Sequence, residues 1–353
     1  MRVPHVVSVV VLSLLAAACK GEGRQPRATA AGTGAATPGS ERGDAAGVAV
    51  AAVGAGAHAD GDVHFSAATW KAPSDSAIPN GPLGASIRRG LALVTNTHDS
   101  LPRHAPGDID CANCHIDAGR APGAAPLTGA HARFPKYMDR TGAVVTLADR
   151  VNYCFTRSLA GTRIPDGSRE MEDILAYIAF ISQGVPTGAR TAGARGLIDM
   201  PGDIVGDSVR GAQLYRTVCA ACHGPNGEGN RAIPPGIPAL WGPKSYSVGA
   251  SMAREERAAS FIWHNMPYGN PKSLTQQQAF DVASYINARP RPDSPGKADD
   301  WPAGGAPKDV PYDTKSGHRA YRPPARLLPR ANPEGAIVPP PRSLRRAAAG
   351  GGR

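Results

Sequence analysis

Cys111-Ala112-Asn113-Cys114-His115 and Cys219-Ala220-Ala221-Cys222-His223 are two copies of one pattern, 108 positions apart. Cys-x-x-Cys-His is the attachment signature of c-type haem: two thiols bond the porphyrin vinyl groups and the adjacent His binds the iron. A redox dithiol needs no adjacent His. A zinc site would need a further Cys/His pair at finger spacing, which the sequence lacks. Cys111, Cys114, Cys219 and Cys222 are therefore expected to hold two covalently bound haem c groups, with His115 and His223 as one axial ligand of each.

The same order of elements surrounds each motif. Ser86-Ile87-Arg88-Arg89-Gly90-Leu91-Ala92-Leu93 reads as a helical lead-in to the first. A helix is expected from Arg169 to Ser182, with Met171, Ile174, Leu175, Ile178 and Ile181 on one face. Ser168 caps it, Glu170 and Glu172 suit the positive end of its dipole, and Gly184 with Pro186 stops it. In the second unit Arg210-Gly211-Ala212-Gln213-Leu214 precedes the motif, and a helix is expected from about Thr275 to Ala288. Thr275 and Gln278 form its capping box; Ala279, Val282, Ala283 and Ile286 make its apolar stripe. Arg-Gly-x-x-Leu opens both units, an internal echo. Gly90 and Gly211 are expected to let each lead helix cross its closing helix closely. This is the arrangement of small class I cytochrome c domains.

The fold class is thus mainly α: two class I cytochrome c-like domains in tandem, with a disordered N-terminal tether and an irregular C-terminal tail. Residues 1–19 read as a signal peptide with a lipobox, 20–78 as the tether, and 79–187 as the first domain. Residues 188–202 form a linker, 203–290 the second domain and 291–353 a Pro/Arg-rich tail. The apolar run from Val6 to Ala18 is too short to span a bilayer comfortably. Leu15-Ala16-Ala17-Ala18-Cys19 resembles a bacterial lipobox, with Ala16 where Leu is usual. A thiol at that junction points to a lipid anchor on Cys19; an ordinary signal peptide cut near the Ala run is the other reading. Either way the product lies outside the cytoplasm, and a membrane-anchored periplasmic lipoprotein is expected.

With 42 glycines, 34 prolines and only 5% aromatics, much of the chain is not packed core. The net charge of +10 does not point to nucleic acid. Eight arginines and one glutamate lie in residues 319–353, so most of the excess sits in a tail that is solvated or touches anionic lipid. No nucleic-acid motif is present, and export makes that partner improbable.

Each iron needs a distal ligand. For the second haem it is expected to be Met266, 43 residues after His223 and presented by the turn Asn265-Met266-Pro267-Tyr268-Gly269. Met252 and His264 are the fallbacks. The first haem has no matching Met-Pro. In the corresponding place, 39 residues after His115, stands Cys154. No partner thiol remains for a disulfide, so Cys154 is either a buried inert Cys or a thiolate ligand of the iron, and the repeat alignment favours the ligand. Met138 is the alternative, and Met171 is expected to pack. Thiolate depresses the iron potential and thioether raises it, so electrons would run from the Cys haem to the Met haem. A thiolate with open approach is also a sulfur nucleophile. Arg140, Arg150, Arg157 and Arg163 bracket it, and guanidinium groups suit divalent oxyanions.

On CANCH, Phe134-Pro135-Lys136-Tyr137, Arg150-Val151-Asn152-Tyr153-Cys154-Phe155-x-Arg157-Ser158, Leu240-Trp241-Gly242-Pro243, Asn265-Met266-Pro267-Tyr268-Gly269 and Asp300-Trp301-Pro302 to Pro311-Tyr312, the chain resembles the thiosulfate dehydrogenases. These are tetrathionate-forming dihaem cytochromes, related to the haem subunit of the Sox sulfur-oxidation system. The resemblance covers roughly residues 80 to 325. It implies that Cys154 is both ligand and covalent site, that Arg140, Arg150 and Ser158 hold substrate, and that Met266 ligates the electron-exit haem. Some relatives carry a Lys beside that Met, where this chain has Asn265. The implied reaction joins two thiosulfates into tetrathionate and releases two electrons. The expected partners are thiosulfate or tetrathionate and a periplasmic electron acceptor such as another cytochrome c. Competing readings are a dihaem relay without substrate chemistry, the tetrathionate-reducing direction, and a peroxidase-like site at a vacant haem position.

Overall fold

The computed structural model describes residues 65–193, 200, 204–233 and 236–321, with short backbone pairs at 330–331 and 337–338. The leader, Cys19, most of the expected tether, much of the linker and most of the tail beyond 321 lie outside the described residues.

The first domain opens with α1 (Gly81–Thr95), which has Pro82 in its first turn, followed by the short α2 (Thr97–Ser100). The haem-motif turn is α3 (Cys111–Cys114), and Asp110 and Asn113 form a capping box that fixes its entry. A small antiparallel hairpin follows, β1 (Lys136–Met138) on β2 (Ala143–Val145) with Tyr137 opposite Val144. Then come α4 (Leu147–Arg157) and α5 (Arg169–Phe180). The Ser168 hydroxyl accepts from the Met171 N–H, so the expected cap is in place. The helix ends two residues early because the Ser182 hydroxyl bonds back to the Ile178 carbonyl at 2.7 Å and accepts from Gly129 N–H at 2.9 Å. Met171, Ile174, Ile178 and Ile181 are buried, as their spacing implies.

The second domain repeats the plan. α6 (Ser208–Leu214) runs into a π-helical turn, Tyr215–Cys219, and then into α7 (Ala220–His223). α8 (Glu255–Asn265) ends at Met266, and α9 (Gln276–Asn287) closes the domain with the Thr275/Gln278 capping box formed on both sides. Ala279, Val282, Ala283 and Ile286 are buried.

In each domain the lead helix crosses the closing helix at a glycine. A Cβ on Gly90 would lie 2.0 Å from the Asp173 carbonyl oxygen, and one on Gly211 would lie 1.9 Å from that of Asp281. No side chain fits at either crossing. The preceding arginine ties the same two helices from outside. Arg89 reaches the Asp173 carboxylate with two bonds at 2.6 and 2.7 Å, and Arg210 reaches Asp281 with two at 2.8 Å. A tyrosine follows each Asp by four residues and packs at the same crossing, Tyr177 in α5 and Tyr285 in α9. The duplication therefore includes Asp-x-x-x-Tyr in the closing helices as well as Arg-Gly in the lead helices.

Two stretches expected to be irregular are packed. Residues 65–78 were expected in the tether, but Trp70 donates to the Gln183 carbonyl at 3.1 Å and Ala72 and Ile78 pack against the α1–α5 core. Arg120 fastens them further by reaching the Pro73 carbonyl at 3.1 Å and the Asp75 carboxylate at 2.5 Å. Residues 291–321, the described part of the expected tail, hold little regular structure yet bury Trp301, Val310 and Tyr312 in a small core with Val248 and Ala306. The domains also meet directly: Asp108 N–H donates to the Lys244 carbonyl at 2.9 Å, and Ser247 N–H to the Ser158 carbonyl at 3.0 Å.

Gly90→Ala and Gly211→Ala each force a methyl into a backbone carbonyl. Each is expected to cost about 1–3 kcal/mol and to lower the thermal unfolding midpoint of the haem-loaded protein. Unchanged midpoints would show that the crossings can relax.

Candidate active site

Helix α4 carries the sulfur. Thr146 opens it: its hydroxyl accepts from Asp149 N–H, and the Asp149 carboxylate accepts from Thr146 N–H, both at 3.1 Å. Buried Asn152 pins the helix to the following loop, accepting from Ile164 N–H at 2.8 Å and donating to the Ile164 carbonyl at 3.0 Å. Arg150, Cys154 and Ser158 are spaced at i, i+4, i+8 and share one face. That face lines a cavity between the helices of the first domain and the haem motif.

Cys111, Cys114 and His115 line the same cavity, and its walls are mostly apolar: Val94, Ile109, Leu127, Phe155, Ile174 and Ile178 among them. The donor set fits a c-type haem, with two thiols, an imidazole and a further sulfur lining one largely apolar cavity. The His115 Nδ1 faces the Ala125 carbonyl, which can only accept. The Nδ1 proton is therefore fixed there, and Nε2 is left for iron. His223 repeats this with the Pro238 carbonyl at 3.1 Å, and burial holds its ring below the usual imidazole range, in the neutral form a metal needs.

The thiols in the first cavity are not alike. Burial pushes Cys111 and Cys114 up to about 12. Burial also acts against ionising Cys154, but there the Arg150 guanidinium and the His115 ring outweigh it and bring the thiol down to about 6. Arg150 Nη1 donates to Cys154 Sγ at 2.9 Å. Arg150 therefore favours the thiolate form of Cys154 inside a largely apolar pocket, and the guanidinium beside it suits an approaching anion.

Only one of the four bracketing arginines faces the sulfur. Arg150 and Ser158 line the cavity with Cys154. Arg140 and Arg157 instead meet the buried Asp300 carboxylate at 2.9 and 3.0 Å. Arg163 is a surface group paired with Asp149 and Asp166 at 3.2 and 3.3 Å. Tyr153 and Tyr312 also donate to Asp300, at 2.9 and 2.7 Å. The acid lies more than 130 residues from Arg140, Tyr153 and Arg157, so no local pattern reveals it.

The methionines separate by surroundings. Met266 stands at the C-terminal end of α8, against the second core and against a small cluster of Ala124 and Phe261 between the domains. Met252 lines the first cavity and also touches the second core. Met171 is fully buried in the first core, and Met138 sits in the β1 hairpin. His264 turns Nδ1 to the Ser260 carbonyl at 2.8 Å. Cys219 is half-buried and Cys222 exposed.

Comparison with known proteins assigns both haem-motif units to known families. Residues 103–187 match the SoxA/TsdA cytochrome c domain family, and residues 208–289 match the cytochrome c family. The chain is 38% identical over 244 residues to the thiosulfate dehydrogenase of Psychrobacter arcticus, covering 69% of this chain and 74% of that one. It is 39% identical over 229 residues to the thiosulfate dehydrogenase of Allochromatium vinosum, covering 62% and 83%. The thiosulfate dehydrogenase TsdBA of Marichromatium purpuratum, solved in its "as isolated" form, superposes with a TM-score of 0.63 at 35% identity. That match covers 70% of this chain, which spans 55% of the solved one. Two cytochrome c domains, each with its Cys-x-x-Cys-His motif, give the protein two covalently bound haem c groups. With 38% identity over 74% of that relative's length, the chain belongs to the thiosulfate dehydrogenase family.

Proposed function

We propose that this protein oxidises thiosulfate to tetrathionate and passes the two released electrons to an exported acceptor such as another cytochrome c. The observation that carries the reading is the Cys154 sulfur. It accepts a hydrogen bond from Arg150 Nη1 at 2.9 Å, which favours its thiolate form, and it lines one cavity with Ser158, Cys111, Cys114 and His115. A dihaem relay has no use for a thiolate and a guanidinium there.

Cys111 and Cys114 would hold the first haem and Cys219 and Cys222 the second, and His115 with Cys154, and His223 with Met266, would hold the two irons. Each haem supplies a one-electron acceptor when bound, so the pair matches the two electrons of the reaction. The residues do the rest. Arg150 and Ser158 hold the sulfonate end of thiosulfate, which leaves its outer sulfur toward Cys154. A bond forms between that sulfur and the Cys154 thiolate, and two electrons leave. A second thiosulfate then attacks the outer sulfur of the adduct, breaks its bond to Cys154, and departs as tetrathionate with the thiolate restored. Arg140 reaches this site only if it leaves Asp300 in part, so its contribution to binding is indirect in the resting protein.

The apolar leader and the Ala18-Cys19 junction support export to the periplasm with a lipid on Cys19. Cys19→Ser is expected to move the protein from the membrane to the soluble periplasmic fraction; retention in the membrane would oppose the anchor. The main test mixes oxidised, haem-loaded protein with thiosulfate and follows haem reduction and tetrathionate release. Wild type should show both. Cys154→Ser should keep both haems attached and show neither, whereas full activity in that variant defeats the mechanism. Arg150→Met removes one hydrogen bond to a charged group, worth about 1.5–3 kcal/mol, and should raise KM for thiosulfate about 10- to 100-fold. An unchanged KM would remove Arg150 from the anion site.

A further inference from the structure

The C-terminal tail brings a carboxylate to the back of the sulfur-bearing helix. Asp300 is 3% exposed and accepts from four side chains. Arg140 reaches Oδ2 from Nε at 3.0 Å and from Nη2 at 2.9 Å. Arg157 reaches Oδ1 from Nε at 3.2 Å and from Nη2 at 3.0 Å. Tyr153 donates to Oδ1 at 2.9 Å and Tyr312 to Oδ2 at 2.7 Å. The Tyr312 hydroxyl in turn accepts from Arg140 Nη2 at 2.6 Å. The tail main chain joins in, with Trp301 N–H on the Arg140 carbonyl at 2.9 Å and Arg157 on the Pro295 and Gly296 carbonyls at 2.6 and 2.9 Å.

Tyr153 and Arg157 are one turn apart on α4, and each precedes a cavity residue, Cys154 and Ser158. Neighbouring residues in a helix point about 100° apart. One face of α4 therefore grips Asp300 while the adjacent face presents Arg150, Cys154 and Ser158 to the cavity. Any rotation of the helix about its axis breaks the grip and displaces the sulfur together.

We infer that Asp300 is a positioning residue for the sulfur chemistry: from the tail it fixes the rotation of α4, and with it the placement of Arg150, Cys154 and Ser158. The inference rests on the thiosulfate-oxidising function proposed above. It differs in sign from a purely electrostatic role. Removing a negative charge near the site would by itself tighten anion binding, whereas releasing the helix weakens it.

The test is Asp300→Asn in the haem-loaded full chain, which keeps volume and removes the charge that holds two guanidinium groups. Thiosulfate-dependent kcat/KM should fall at least about tenfold. The low-temperature EPR signal of the thiolate-ligated haem should shift or broaden, while the second haem's signal stays as in wild type. Unchanged EPR signals with kcat/KM within about twofold of wild type, or a KM below the wild-type value, overturn the inference, even if the unfolding midpoint drops. Should Asp300→Asn fail to accumulate, Tyr312→Phe is measured instead, against the same two outcomes. A wild type that neither oxidises thiosulfate nor shows a thiolate signal would instead sink the underlying function.

Discussion

Both haem pockets depend on helix pairs that touch backbone to backbone. At Gly90 and Gly211 the closing helix passes so near that its carbonyl occupies the space of a β-carbon. Close-packed interiors give little room for adjustment, so these two contacts fix how far each haem motif stands from its closing helix. The arginine beside each glycine and the aspartate it grips add a second, polar tie at the same crossing. The conserved plan within the chain leaves the domains free to differ elsewhere, and they differ in what faces the histidine.

In the first domain that difference is a charge. Three thiols share the cavity and feel similar burial, yet only Cys154 has a guanidinium at 2.9 Å. Before haem attachment, desolvation disfavours ionising Cys111 and Cys114, whereas the cation favours the thiolate at Cys154. The same guanidinium is left to receive an anion, because a single thiolate does not use all of its five donors. The second core carries no such cation–thiol pair among the described residues; Met266 packs against it, and it holds an aromatic group of Tyr215, Trp241 and Tyr285 with ring centres 5.0 to 5.7 Å apart.

What is local in this fold is legible in the sequence. Both closing helices start at the caps their Ser168 and Thr275 announce, and both crossings fall on the glycines of the Arg-Gly echo. Thr146-x-x-Asp149 is an equally plain start signal for α4, and Asp-x-x-x-Tyr an equally plain repeat in α5 and α9. What depends on distant partners is not legible. Arginines near Cys154 look like one anion pocket in the sequence, but Arg140 and Arg157 turn to Asp300 and Arg163 to Asp149 and Asp166. Segment 65–78 looks like tether by composition, and only the groove beside α1 and α5 gives Trp70, Ala72 and Ile78 a place to bury.

The central claim is that the Cys154 sulfur stands at the first iron and remains a sulfur nucleophile. Low-temperature EPR of the oxidised, haem-loaded wild type tests it most directly. The account requires two distinct low-spin species, one of His/thiolate type that disappears when Cys154 is replaced by Ser and one of His/Met type that persists. Two species without thiolate character, both unaffected by that replacement, would place Cys154 off the iron and contradict it.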